Sequence, residues 1–142
     1  MTPNMLIVDD DRKTRDLVSA FLTYHGYSTQ SIDTNTEFTD VIRNLQHLII
    51  IGDLDTLLST SVDIFETALA ASSDLVIITY GFSNASKQIP QHERLLFIPK
   101  PLNLDELESI VMRAREYQLL KSRTGAPLLF EEFPHILCST II

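Results

Sequence analysis

The sequence predicts a doubly wound α/β domain, a five-stranded parallel sheet with helices on both faces. Three observations carry that expectation. Short, wholly apolar runs recur along the chain without the in-out alternation of a half-exposed strand, so each reads as a strand buried on both sides. Segments with apolar residues three and four apart separate these runs and read as helices. Polar residues close each apolar run, which puts chemistry at the carboxyl ends of the strands, where doubly wound sheets hold ligands.

The first unit is a strand over residues 5–8 followed by Asp9, Asp10 and Asp11. A helix then begins with Asp11 as its cap, presents Leu17, Val18, Phe21 and Leu22 on one face, and stops at Gly26. Residues 28–32 form the second strand, and Phe38, Val41, Ile42 and Leu45 mark the next helix. Residues 48–51 are a fully apolar strand ending at Gly52 and Asp53, and Val62, Phe65, Leu69 and Ala70 give another helical face. Residues 74–78 make a fourth strand closed by Thr79. Residues 95–98 make a fifth, closed by Pro99, Lys100 and Pro101. Residues 81–93 hold Pro90 and little periodicity, so a helix there is short. Asn103 caps a long last helix, with Leu104, Leu107, Ile110, Val111, Ala114 and Tyr117 facing inward, that ends near Ser122.

Bulk composition narrows the function. A chain of 142 residues, 44% of them hydrophobic, fits one domain with a short appendage. A net charge of -8 argues against nucleic-acid binding by this domain and leaves any DNA contact to a downstream one. The longest apolar runs, 48–51 and 75–78, are far too short to cross a bilayer, and the N-terminus lacks the pattern of a signal peptide, so a cytoplasmic protein without membrane contact is expected. One cysteine, Cys138, and four scattered histidines, His25, His47, His92 and His135, offer no metal-ligand spacing.

The strand-end residues offer more. Asp9, Asp10 and Asp53, gathered at one edge, repel one another and call for a hard cation, which for oxygen ligands means Mg²⁺. A carboxylate beside that ion can attack a phosphoryl group, while an ammonium and a hydroxyl neutralise the phosphoryl oxygens. Asp53, Lys100 and Thr79 suit those roles.

The Ile7-Val8-Asp9-Asp10-Asp11 strand end, the Gly26-Tyr27 turn, Asp53 placed 43 residues after Asp10, Thr79 and the Lys100-Pro101 pair resemble the response-regulator receiver domains of two-component signalling over residues 5–117. The resemblance implies a flavodoxin-like fold and a phosphorelay switch rather than a turnover enzyme, one that at most catalyses its own phosphorylation. It implies Asp53 as phosphoacceptor, Asp10 as a direct Mg²⁺ ligand, Asp9 acting through the metal's waters and Asp55 offering its backbone carbonyl. Thr79 and Phe97 would be the switch pair. A sensor histidine kinase or phosphotransfer protein would be the partner, with a homodimer as the assembled form and transcription as the process controlled.

The chain departs from that family in four places. Asp53 is followed by Leu54-Asp55-Thr56-Leu57-Leu58 in place of a Met-Pro-Gly type loop, and Gly52 stands where a larger apolar residue is usual. A one-residue realignment would put Gly52 at the acceptor position. Tyr80 replaces a small residue next to Thr79, and the 81–93 segment is short. An atypical receiver is expected. One alternative is a degenerate receiver serving as a phosphorylation-independent dimerisation or ligand-sensing module. Another is a haloacid-dehalogenase-like phosphatase, since residues 53–57 approach Asp-x-Asp-x-Thr, although Leu57 spoils the motif and the acid pair precedes the lysine.

The receiver domain is expected over residues 1–122 and a linker or extension over 123–142. Arg113, Arg115, Lys121 and Arg123 lie along the helix that leads there. Residues 133–140 loosely resemble the opening of the ATPase domain of sigma-54-dependent activators, with Cys138 in place of its glycine.

Overall fold

Isoleucine, valine and leucine in runs too short for helices favour strands, and among the described residues they build a five-stranded sheet. The strands are β1 (Met5–Val8), β2 (Thr29–Ile32), β3 (Ile49–Asp53), β4 (Val76–Gly81) and β5 (Leu95–Pro99). The computed structural model describes residues 5–32, 41, 49–59 and 64–124, the last three by their backbone only. All pairings are parallel and the order is β2-β1-β3-β4-β5. The helices are α1 (Arg12–Tyr24), α2 (Leu54–Leu58), α3 (Ile64–Ala71) and α4 (Leu104–Thr124), with a 3₁₀ helix at Ser83–Gln88.

Alternate residues of β1, β3, β4 and β5 enter two separate cores, which is why those strands show no polar face, whereas β2 contributes only Ile32. Met5, Ile7, Ile49, Ile51, Val76, Ile78, Leu96 and Ile98 pack under α1 and α4, against Val18, Leu22, Leu107, Ile110, Val111 and Ala114. Leu6, Val8, Ile50, Ile77 and Leu95 face the other way, against Leu54 and Leu57 of α2 and Ile64, Phe65 and Ala68 of α3. Each such side chain contributes about 1.5–3 kcal/mol of burial free energy, so the two cores, not the helix propensities, hold the sandwich.

The helix caps follow the local sequence. Asn103 Oδ1 accepts from the Glu106 N–H at 3.1 Å, as a cap should. Gly26 has a φ of +91°, a left-handed conformation that glycine adopts at little cost, and it terminates α1. Asp11 occupies the cap position of α1, but its carboxylate accepts from the Thr14 hydroxyl at 2.6 Å.

Several expectations shift in the structure. Leu17 is 55% exposed, so the buried stripe of α1 runs through Val18 and Leu22 with Phe21 partly covered. In α3 the buried face is Ile64, Phe65 and Ala68, with Leu69 partly buried and Ala70 exposed. β3 reaches Asp53 and β4 reaches Gly81, because polar residues at strand ends still pair their backbones. The last helix runs to Thr124, past Ser122. The helix expected from Phe38, Ile42 and Leu45 lies outside the described residues except at Val41, which is helical and packs on the second core. Val62, His47, His135, Cys138 and the tail from 125 onward also lie outside them. Among the described residues, no helix is long and apolar enough to cross a membrane.

Candidate functional site

The register of the parallel strands decides which polar residues meet. Val8 pairs with Gly52 and Gly52 with Thr79, so the next residues along, Asp9 and Asp53, come to the carboxyl edge together, with Asp53 level with Tyr80. These residues have the same strand parity as the core beneath α1 and α4. A cavity of about 520 Å³ opens there, lined by Asp9, Asp10, Asp53, Asp55, Tyr80 and Lys100, with Thr56 at its wall.

Asp53 is 8% exposed and fully engaged. Its Oδ1 lies 2.6 Å from Lys100 Nζ. Its Oδ2 accepts from the Thr56 N–H at 3.1 Å and from the Thr56 hydroxyl at 3.2 Å, which makes Asp53 the N-cap of α2. The Thr56 hydroxyl also accepts from the Asp10 N–H at 3.2 Å, so one side chain ties the two acid-bearing strand ends together. The hydrogen bond to Asp53, followed by the nearby acids, holds the Lys100 ammonium above the usual lysine range.

Asp9 is 3% exposed, and burial raises its carboxyl above the ordinary range despite the hydrogen bonds it accepts. Its Oδ2 accepts from the Tyr80 hydroxyl at 2.5 Å and its Oδ1 from the Asp11 N–H at 2.9 Å. Arg15 donates to the Asp9 carbonyl at 2.8 Å. Burial, then the bond to Asp9, pushes the Tyr80 phenol far up, so it remains the proton donor. Asp10 is exposed at the cavity mouth.

Gly52 lies behind this arrangement. A Cβ there would sit 2.8 Å from the Val8 carbonyl oxygen and 3.2 Å from Leu57, so the position has no room for a side chain. Asp53 is therefore the β3 residue whose carboxylate reaches the cavity.

Asp9, Asp10, Asp53, Asp55 and Lys100 are thus gathered, whereas Thr79 and Phe97 are absent from the lining. The Thr79 hydroxyl is fully buried and donates to the Gly52 carbonyl at 3.0 Å. Thr79 and Phe97 are cross-strand partners, and Phe97 packs against the core under α2 and α3. Thr56 and the Tyr80–Asp9 bond had escaped the sequence reading. The Asp53-x-x-Thr56 spacing, that of a cap and its third helical residue, was the signal for the first. The second joins residues 71 apart and has no local signature.

No family model matches the chain. Two curated relatives do, each named regulatory protein VirG, from Rhizobium radiobacter and from Agrobacterium tumefaciens (strain 15955). Each is 32% identical over 75 residues, covering 53% of this chain and 28% of its own length. Among solved structures, NtrX from Brucella abortus in complex with ATP has a TM-score of 0.70 at 23% identity, over 88% of this chain and 29% of its own. The receiver domain of the same NtrX gives 0.65 at 22%, over 79% and 98%. A response regulator receiver protein from Sinorhizobium medicae gives 0.68 at 11%, over 82% and 97%. The fold is that of the response-regulator receiver domains. The chain spans under a third of the length of the VirG proteins and of the NtrX chain bound to ATP.

Proposed function

We propose that the chain is the signal-receiving switch of a two-component response regulator, phosphorylated on Asp53. The observation that carries this reading is the Lys100 ammonium 2.6 Å from Asp53 Oδ1 in a cavity whose other acids are Asp9, Asp10, Asp11 and Asp55. An Asp53 oxygen attacks the donor's phosphorus, the bond from phosphorus to the leaving group breaks, and Lys100 moves from the carboxylate to a phosphoryl oxygen.

The donor set at this edge is all oxygen and strongly negative, which suits a hard divalent cation such as Mg²⁺. Asp10, Asp53 and the Asp55 carbonyl would hold it, with Asp9 behind them. Among the described residues no three acids already converge on one metal position, so the acids would draw together on binding. Bound there, Mg²⁺ would offset the charge that builds on the phosphoryl oxygens.

The partner on this reading is a histidine kinase or phosphotransfer protein, the setting is the cytoplasm, and the active form is a homodimer. We place the receiver at residues 1–122 and read 123–142 as the lead into an output domain of the sigma-54-activator type. The 29% share of NtrX supports that reading.

The test is intact-mass measurement after incubation with acetyl phosphate and Mg²⁺. A gain of one phosphoryl group that disappears in Asp53→Asn is expected, and no gain with any donor sinks the proposal. A phosphorylation-independent module is the second reading, favoured by the way Lys100, Thr56 and Tyr80 already satisfy Asp53 and Asp9. It predicts that Asp53→Asn signals as well as wild type.

A further inference from the structure

We infer that Tyr80 is a built-in competitor of the divalent cation, holding the Asp9 carboxylate in a metal-free arrangement and so setting the metal affinity of the site. The inference rests on the metal-binding part of the proposed function and adds the residue that governs it.

The geometry is closed around Asp9. The Tyr80 hydroxyl donates to Oδ2 at 2.5 Å, the Asp11 N–H to Oδ1 at 2.9 Å, and Arg15 to the carbonyl at 2.8 Å. Tyr80 is 1% exposed, fixed in β4 between β3 and β5, and packed in the core beneath α1 and α4. Its ring is therefore held from inside the protein, at the wall of the cavity that Asp9 also lines. A hydrogen bond to a charged acceptor in such a place is stronger than one between neutral groups.

A cation, or a water bound to it, would draw on the same Oδ2 electron density that the phenol already engages. The neutral phenol supplies one hydrogen bond at the spot where a cation would supply charge, and the buried ring has little room to swing aside. Tyr80 and the cation are thus alternatives at Asp9. Removing the hydroxyl alone leaves a buried carboxylate short of a partner, which the cation then relieves.

The experiment is calorimetric titration of Mg²⁺ into the whole wild-type chain and into Tyr80→Phe, without any phosphodonor, alongside melting curves with and without Mg²⁺. Tyr80→Phe is expected to bind Mg²⁺ about tenfold more tightly, the free-energy value of one charged hydrogen bond. Mg²⁺ should also raise its melting temperature more than it raises that of wild type. Equal affinities and equal melting shifts overturn the inference while leaving the metal site standing. Absence of binding in both proteins overturns the inference and removes Mg²⁺ from the proposed function as well. Should Tyr80→Phe not fold, proton NMR of wild type decides the matter. The low-field Tyr80 hydroxyl resonance should vanish as Mg²⁺ saturates the protein, and its persistence at saturation refutes the competition.

Discussion

At the amino ends of β4 and β5 the sheet buries a cation, and at the carboxyl ends of β1 and β3 it buries acids. Arg94, 8% exposed, donates to the carbonyls of Ser72 at 2.6 Å, Leu75 at 2.9 Å and Leu69 at 3.0 Å. Gln118 and Lys121 of α4 complete the same end by bonding to the carbonyls of Asp74 and Ser73. A permanently charged guanidinium bound to carbonyls of the main chain has nothing to exchange with. At the other end, Asp53 and Asp9 are met largely by side chains: an ammonium, two hydroxyls and few backbone donors. On the proposed function these are the partners traded for a phosphoryl group or a cation. The difference separates a buried charge that closes a fold from buried charges that can switch.

The largest effect on that comparison should come from Arg94→Met. It strips donors from three carbonyls and should cost about 3 kcal/mol of unfolding free energy in urea, with acetyl-phosphate reactivity unchanged. A loss of reactivity at equal folding would break the division between the two ends. Gly52→Ala should cost about 2 kcal/mol, because the added methyl meets the Val8 carbonyl and Leu57. Thr56→Val removes one hydroxyl from the acidic end while the Thr56 N–H keeps its cap on Asp53, and should cost about 1 kcal/mol in the same urea assay.

The smallest effect is a pH slope. Burial raises the Tyr80 and Tyr117 hydroxyls above their ordinary value of 10.0, and the bond to Asp53 raises Lys100 above 10.5. In all three the folded state holds its proton more tightly than the unfolded chain does. Their stabilisation is therefore complete below pH 10 and is lost as pH climbs above it. Urea midpoints measured from pH 8 to 11 should fall at the alkaline end, and Tyr80→Phe should fall less steeply. A midpoint that rises with pH there would reverse the sign.

How far the sequence was legible follows the range of the interactions. The strands and the long helix were readable because their apolar runs and their 3.6-residue stripe are local, and so were the Gly26 stop and the Asn103 cap. The meeting of Asp9, Asp10, Asp53 and Lys100 was readable because parallel strands bring all their carboxyl ends to one edge. The five-residue α2 was not, being too short to show a period, and its Asp53 cap reads equally as a site residue. Leu17 was misplaced because its spacing fits the stripe, whereas the direction of the stripe is set by the sheet beneath. Thr79 was expected at the cavity because it ends an apolar run, but side-chain parity sends it to the opposite face and gives Tyr80 the place. Parity depends on where pairing starts, and a shift of one residue reverses it.

On the proposed function, the acidic end is an exchangeable site centred on Asp53. It is tested most directly by treating the acetyl-phosphate-labelled protein with borohydride, which reduces an aspartyl phosphate to homoserine, and sequencing the peptides by mass spectrometry. Homoserine at position 53, with Asp9, Asp10 and Asp55 intact, is the predicted result. Homoserine at another acid, or at none, would contradict it.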